Sequence, residues 1–148
     1  MIEEENQKNS QDDKIVGALA HAAALLPMWG IIAPVLIWVT QREKSEYIRQ
    51  QSAQALAWQL LQIVLFFIGM GLYMGGIFLT VGTAFLMDEM NSSGPPPAFF
   101  IPVCIMGFVF LIFLVSIVMA LYAAVRNLQG HDFTYPLIGR RVRAYLAK

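Results

Sequence analysis

Few side chains in this 148-residue chain could do chemistry within its apolar segments: His21, a glutamine series from Gln50 to Gln62, Cys104, and the neighbouring acids Asp88 and Glu89. An imidazole in an apolar run is either a proton or ligand site or a neutral ring hydrogen-bonded to a neighbouring helix. No second His, Cys or acid shares the run around His21, which favours the neutral ring. At 100° per residue, Gln50, Gln51, Gln54, Gln59 and Gln62 fall within one half of a helix, and Gln62 lies about 15 Å inward from Ser52. Such a polar stripe forms interhelical hydrogen bonds, or else it walls a hydrated cavity. Metal binding needs three or four converging ligands, and no ligand spacing of that kind occurs. A haem pair from His21 and His131 would have to join opposite membrane sides. No cofactor is therefore expected. Catalysis finds no paired carboxylates, nucleophile elbow or phosphate-binding glycine loop, and Asp88 and Glu89, being adjacent, do not face one another on a helix. A non-enzymatic role is expected. Cys104 reads as a small hydrophobe, and a single cysteine makes no intrachain disulfide.

The elements that hold these residues are set by composition. Hydrophobic residues make up 57% of the chain and charged ones 14%, against about 25% charged in a typical soluble domain. Mean hydropathy is +0.58. Three runs without charge, Ile15–Gln41, Gln50–Met87 and Met90–Val125, contain most of the residues. The fold class expected is an all-α integral membrane protein with three hydrophobic segments, the first broken by proline, and a C-terminal amphipathic interfacial helix. It divides into an acidic mobile tail over 1–13 and a single helical membrane domain over 14–148.

In chain order, the first fourteen residues carry Glu3, Glu4, Glu5, Asp12 and Asp13 against Lys8 and Lys14, the reverse of a signal peptide's basic start. The first span is expected over about 15–40, with Pro27, Gly30 and Pro34 interrupting it. One tilted, kinked span is the reading preferred, and a re-entrant hairpin of two half-helices is the alternative. Arg42, Glu43, Lys44, Glu46 and Arg49 form the charged island before the second span, about 53–87, with Ser45 as its N-cap. Gly71 and Gly75 have the small-xxx-small spacing that lets helices approach closely, within a protomer or between copies. Residues 88–97 read as a turn. The third span is expected over about 98–126, with Gly130 as its stop. The interfacial helix follows over about 136–147, where Arg140 and Arg143 would reach lipid phosphates. Trp29, Trp38 and Trp58 offer interfacial anchors.

Lys and Arg number two in the N-terminal tail, three in the 41–52 loop, none in the 88–97 loop and five after Val125. The positive-inside rule then puts the 41–52 loop and the C-terminus in the cytoplasm of a multi-pass cell-membrane protein. The partners expected are a bilayer with anionic lipids and either further copies or another membrane protein; nucleic acid is not among them.

Taken together, Ala20-His21, the Ile37-Trp38 exit, the charged loop leading into Gln51-Ser52-Ala53-Gln54-Ala55-Leu56, and Tyr135-Pro136-Leu137 carry a resemblance. They resemble a family of small bacterial membrane proteins of unknown function, itself similar to the twenty-kilodalton membrane subunit of the chloroplast inner-envelope protein translocon. The likeness covers roughly Ile15 to Leu146. It implies a multi-span helical protein and, for the plastid relative, a part in protein import. The plastid pattern has four spans and a long targeting region, which this chain departs from. The function expected is an interaction or assembly subunit, with a small oligomeric conduit or translocation component as the alternative.

Overall fold

The computed structural model describes residues 10–26, 29–89 and 97–147. Among the described residues there are helices and turns and no strand. Helix α1 is Gln11–Ala22, and it starts at Ser10, whose hydroxyl accepts a hydrogen bond from the Asp13 amide at 3.2 Å. Asp12 and Asp13 sit in its first turn, where the helix dipole favours anions. The acidic tail expected over 1–13 is thus corrected: residues 11–13 are helical, and 1–9 lie outside the described residues.

A 3-10 turn, Ala23–Leu25, ends α1, and a second one, Trp29–Ile31, opens α2, Ile32–Gln41. Helices α1 and α2 pack on one another, as do the two 3-10 turns. The single kinked span is therefore replaced by a hairpin. Its cause is local. The Gly30 amide donates to the Leu26 carbonyl at 2.7 Å, and a Cβ on Gly30 would lie 2.0 Å from the Ala23 carbonyl oxygen. The chain can double back there because position 30 has no side chain. Pro34 falls in the first turn of α2, where a missing amide hydrogen removes no helical bond, and Pro27 lies outside the described residues. At 1.5 Å per residue α1 and α2 are about 18 and 15 Å long, well short of a hydrocarbon core of about 30 Å.

Helix α3 is continuous from Glu46 to Glu89, 44 residues and about 66 Å, where a span over 53–87 is expected. It begins just after Ser45, whose carbonyl accepts from the Arg49 amide at 3.0 Å. Asp88 and Glu89 close this helix instead of opening a turn, and residues 90–96 lie outside the described residues. Helix α4, Phe100–Leu128, follows a 3-10 turn at Pro97–Phe99. It stops where expected. Gly130 has φ +78°, its amide donates to Asn127 and that of His131 to Arg126, the pairing of a Schellman cap. The C-terminal helix α5 is Gly139–Leu146, shorter than the expected 136–147. Among the described residues, α3 and α4 are the two helices long and apolar enough to cross a membrane.

The chain groups into two compact units, Met1–Gln62 with Ser116–Lys148, and Ile63–Val115. In the second, a Cβ on Gly69 would lie 2.5 Å from Val109 Cγ2 and one on Gly76 3.4 Å from Pro102, so α3 and α4 approach closely at positions seven residues apart. The Thr80 hydroxyl adds a bond to the Ala98 carbonyl at 2.9 Å. Gly71 and Gly75 have nothing within 4 Å, so they take no part in packing within this unit. Phe67, Phe78, Phe85, Phe108 and Phe110 are exposed, an apolar surface of the kind that lipid or a partner covers.

The core of the first unit is Trp58, Ala123, Phe133 and Tyr135, with Leu61, Met119 and Ile138 packed on it. Ala20 and Ala55 are fully buried at or below 1% exposure, and such small residues let the helices come together. Trp58 belongs to this core and is not an interfacial anchor, whereas Trp29 is 75% exposed.

Candidate functional site

The first turns of α3 present Tyr47, Gln51, Gln54 and Trp58 at intervals of four, three and four, which places them on one helical face. Helix α1 reaches that face at Gly17. A Cβ there would lie 3.2 Å from Tyr47 Cε1, 3.4 Å from Asn127 Oδ1 and 3.6 Å from Gln51 Cβ. One turn further along α1, His21 is wholly buried. The segment after α4 returns Phe133 and Tyr135 to the same place. Gly139 permits that return, because a Cβ on it would lie 2.3 Å from Thr134 Cγ2 and 3.2 Å from Gln54 Oε1.

Tyr135 is the hub. Its ring stacks on Trp58, with centroids 4.4 Å apart and planes 8° from parallel, and meets Phe133 edge-on at 4.9 Å. Its amide donates to Gln54 Oε1 at 3.2 Å. Its hydroxyl lies 3.0 Å from His21 Nδ1, and His21 Nε2 lies 3.2 Å from Gln51 Oε1. Since Gln51 Oε1 can only accept, the imidazole carries its hydrogen on Nε2, and Nδ1 accepts from the Tyr135 hydroxyl. Both ring nitrogens are then engaged by a neutral imidazole. Burial pushes the His21 imidazole down to about 4, against a smaller upward pull from the Gln51 hydrogen bond. Burial likewise raises the Tyr135 phenol well above its usual range. Alongside, the Tyr47 hydroxyl donates to Asn127 Oδ1, and Asn127 Nδ2 donates to the Ala123 carbonyl at 2.9 Å.

The glutamines divide. Gln51 and Gln54 are fully buried and each uses its oxygen, but Nε2 of both has no partner among the described residues. Gln59, 5% exposed, has neither amide atom paired, and Gln62 is half-buried with an unpartnered Nε2. Gln50 lies apart and donates to Glu46 at 3.2 Å. His131 is exposed, so the two histidines form no pair. Arg140 and Arg143 are both exposed on α5. Among the described residues no group of three or more His, Cys, Asp or Glu converges.

Sequence reasoning missed Tyr47, Trp58, Asn127 and Tyr135 as members of this cluster. The four-three-four spacing on α3 could have found Tyr47 and Trp58. Tyr135 stands out in the sequence only through the Tyr135-Pro136-Leu137 likeness, and nothing there ties it to Gln51, 84 residues earlier. Fold and site thus define a class: an all-helical protein with two helices able to cross a membrane, and a first unit tied together by neutral buried polar groups.

The chain belongs to the magnetosome magnetite crystal formation protein family, MamF/MmsF, whose model matches residues 12–142. This fits the expectation of a small bacterial membrane family and shows no link to the plastid translocon subunit. Comparison with curated proteins and with solved structures finds no match.

Proposed function

We propose that the protein is a non-enzymatic assembly subunit of the magnetosome membrane, acting in magnetite crystal formation by organising other components. The observation that carries this reading is the His21–Tyr135 cluster within a chain matched over residues 12–142 to that family. Its one buried titratable base has both nitrogens engaged, and its other members are amides and phenols, which suits fastening of segments better than turnover.

Because α1 and α2 are too short to cross, α3 and α4 make two crossings and return the chain to its starting side. All ten Lys and Arg then lie on that side: Lys8, Lys14, Arg42, Lys44 and Arg49 before the crossings, and Arg126, Arg140, Arg141, Arg143 and Lys148 after them. The positive-inside rule makes it the cytoplasm, a stronger imbalance than three spans would leave. Arg140 and Arg143 would meet anionic lipid phosphates there.

The test is deletion of the gene from a magnetite-forming host, with crystal sizes measured by electron microscopy. Altered crystals, restored by the wild-type chain, are expected; unaltered crystals would remove the reading. A second reading, a small conduit or translocation component, is favoured by one observation, the unpartnered amide of buried Gln59.

A further inference from the structure

The C-terminal end of α2, the loop after it and the first turn of α3 border, with α5, a cleft of about 770 Å³ in the first unit. Trp38, Arg42, Glu43, Glu46, Arg49 and Tyr145 line it. It lies apart from the His21 cluster, and its charges are poorly spent on one another. The one salt bridge among the described residues joins Arg42 Nε to Glu43 Oε1 at 4.0 Å, the outer limit of such a contact. Glu46 accepts from Gln50, a neutral partner. Among the described residues Arg49, half-buried, has no carboxylate partner, and its Nε is buried without a hydrogen bond. A guanidinium with one buried nitrogen unpaired and no counter-charge beside it gains from an anion. The Arg42 guanidinium stacks 4.7 Å from the Trp38 ring centroid, an arrangement that holds it at the cleft.

The same cleft presents two carboxylates, and the aromatic face of Tyr145 also suits a cation. An anion alone would be repelled by Glu43 and Glu46, and a cation alone by Arg42 and Arg49. A ligand carrying both charges close together answers both halves. The carboxylates are pure acceptors, so they select a primary ammonium, which donates three hydrogen bonds, over a quaternary one, which donates none. Position adds the last term: the charged island that lines the cleft stands at the N-terminal end of α3, a helix long and apolar enough to cross a membrane, and charged residues flanking a span are the ones that meet lipid headgroups.

We propose that this cleft binds the headgroup of an aminophospholipid, with the phosphate on Arg42 and Arg49 and the primary ammonium on Glu43 and Glu46. The proposal rests on the membrane location given above and not on any role in crystal formation. Native mass spectrometry of the full chain, released from detergent with phosphatidylethanolamine, phosphatidylcholine or phosphatidylglycerol of equal chain length, tests it. The wild type should retain phosphatidylethanolamine at least about tenfold over the other two, a difference of about 1.4 kcal/mol. The double variant Glu43→Gln, Glu46→Gln should lose the preference over phosphatidylcholine, and Arg49→Gln should lower retention of all three. Arg42→Gln, at an exposed position, serves as a second probe should Arg49→Gln fold poorly. Equal retention of the three lipids, or a preference untouched by the carboxylate pair, would overturn the proposal. Binding of free phosphoethanolamine with no lipid retained would overturn the lipid assignment. A wild-type preference for phosphatidylglycerol would reduce the cleft to a basic patch.

Discussion

Replacing Tyr135 with Phe removes one oxygen from the hub while keeping the ring that stacks on Trp58 at 4.4 Å and meets Phe133 at 4.9 Å. The apolar packing therefore survives. What changes is His21, whose Nδ1 loses the hydroxyl 3.0 Å away inside a site with no exposure. Moving the ring hydrogen to Nδ1 gives no escape, because that N–H would then face the Phe ring with no acceptor in place of the hydroxyl. A buried acceptor left unpaired costs about 1–3 kcal/mol. For a chain of this size that corresponds to a fall in Tm of about 2–4 °C per kcal/mol, measured by thermal unfolding in mild detergent. The double-mutant cycle with His21→Leu isolates the pair, and a coupling within about 0.5–3 kcal/mol is expected since the residues touch. If Tyr135→Phe melts with the wild type and the cycle closes to zero, the hydroxyl is not bonded to His21 and the hub is a packing cluster alone.

Acid should loosen the first unit through the same ring. The folded His21 titrates at about 4 and the unfolded one at 6.5, so below 6.5 the unfolded chain binds the extra proton. Its contribution is complete above pH 6.5 and is lost as pH falls toward 4, by about 3 kcal/mol in all. His21→Gln should flatten this slope in unfolding experiments between pH 7 and 5, and an identical slope in both proteins would refute the assignment. For the conduit question, a cysteine at Gln62 in a Cys104→Ser background should react slowly with a water-soluble thiol reagent applied from the cytoplasmic side, compared with one at exposed Lys44. Comparable rates at the two positions would put the hydrated-cavity reading first.

Helix content and the two long apolar helices were legible in the sequence, because runs without charge and a cap at Gly130 are local signals. The hairpin at residues 11–41 was less so. Pro27, Gly30 and Pro34 mark a break in either a kinked span or a re-entrant pair, and what decides between them is how closely Gly30 approaches Ala23, a property of the folded backbone. The glutamine stripe was visible as a stripe, yet its partners were not. Gln51 meets a residue 30 positions earlier, and Gln54 one 81 positions later, so the pattern along α3 carries no trace of which segment covers it. Gly71 and Gly75 are the opposite case: the motif is local, whereas the close approaches within the second unit fall at Gly69 and Gly76, on the face the neighbouring helix occupies.

The atoms left over in the cluster say something about what could complete it. Nε2 of Gln51, Gln54, Gln59 and Gln62 and Nε1 of Trp58 are all donors, and among the described residues Gln59 Oε1 is the one unpartnered acceptor with them. Turning over the Gln54 amide would not change the balance, because its oxygen is already committed to the Tyr135 amide. A cation needs converging oxygen or nitrogen lone pairs, which this face does not supply. Water, a carbonyl or an anion would satisfy the surplus donors. If α3 borders a pathway at all, its glutamine face is therefore suited to water or to the carbonyl-rich backbone of a polypeptide, and it is poorly suited to conducting metal ions. Such donor-rich chemistry does not suit iron binding, and it accords with the proposed fastening of α1, α3 and the Tyr135 segment.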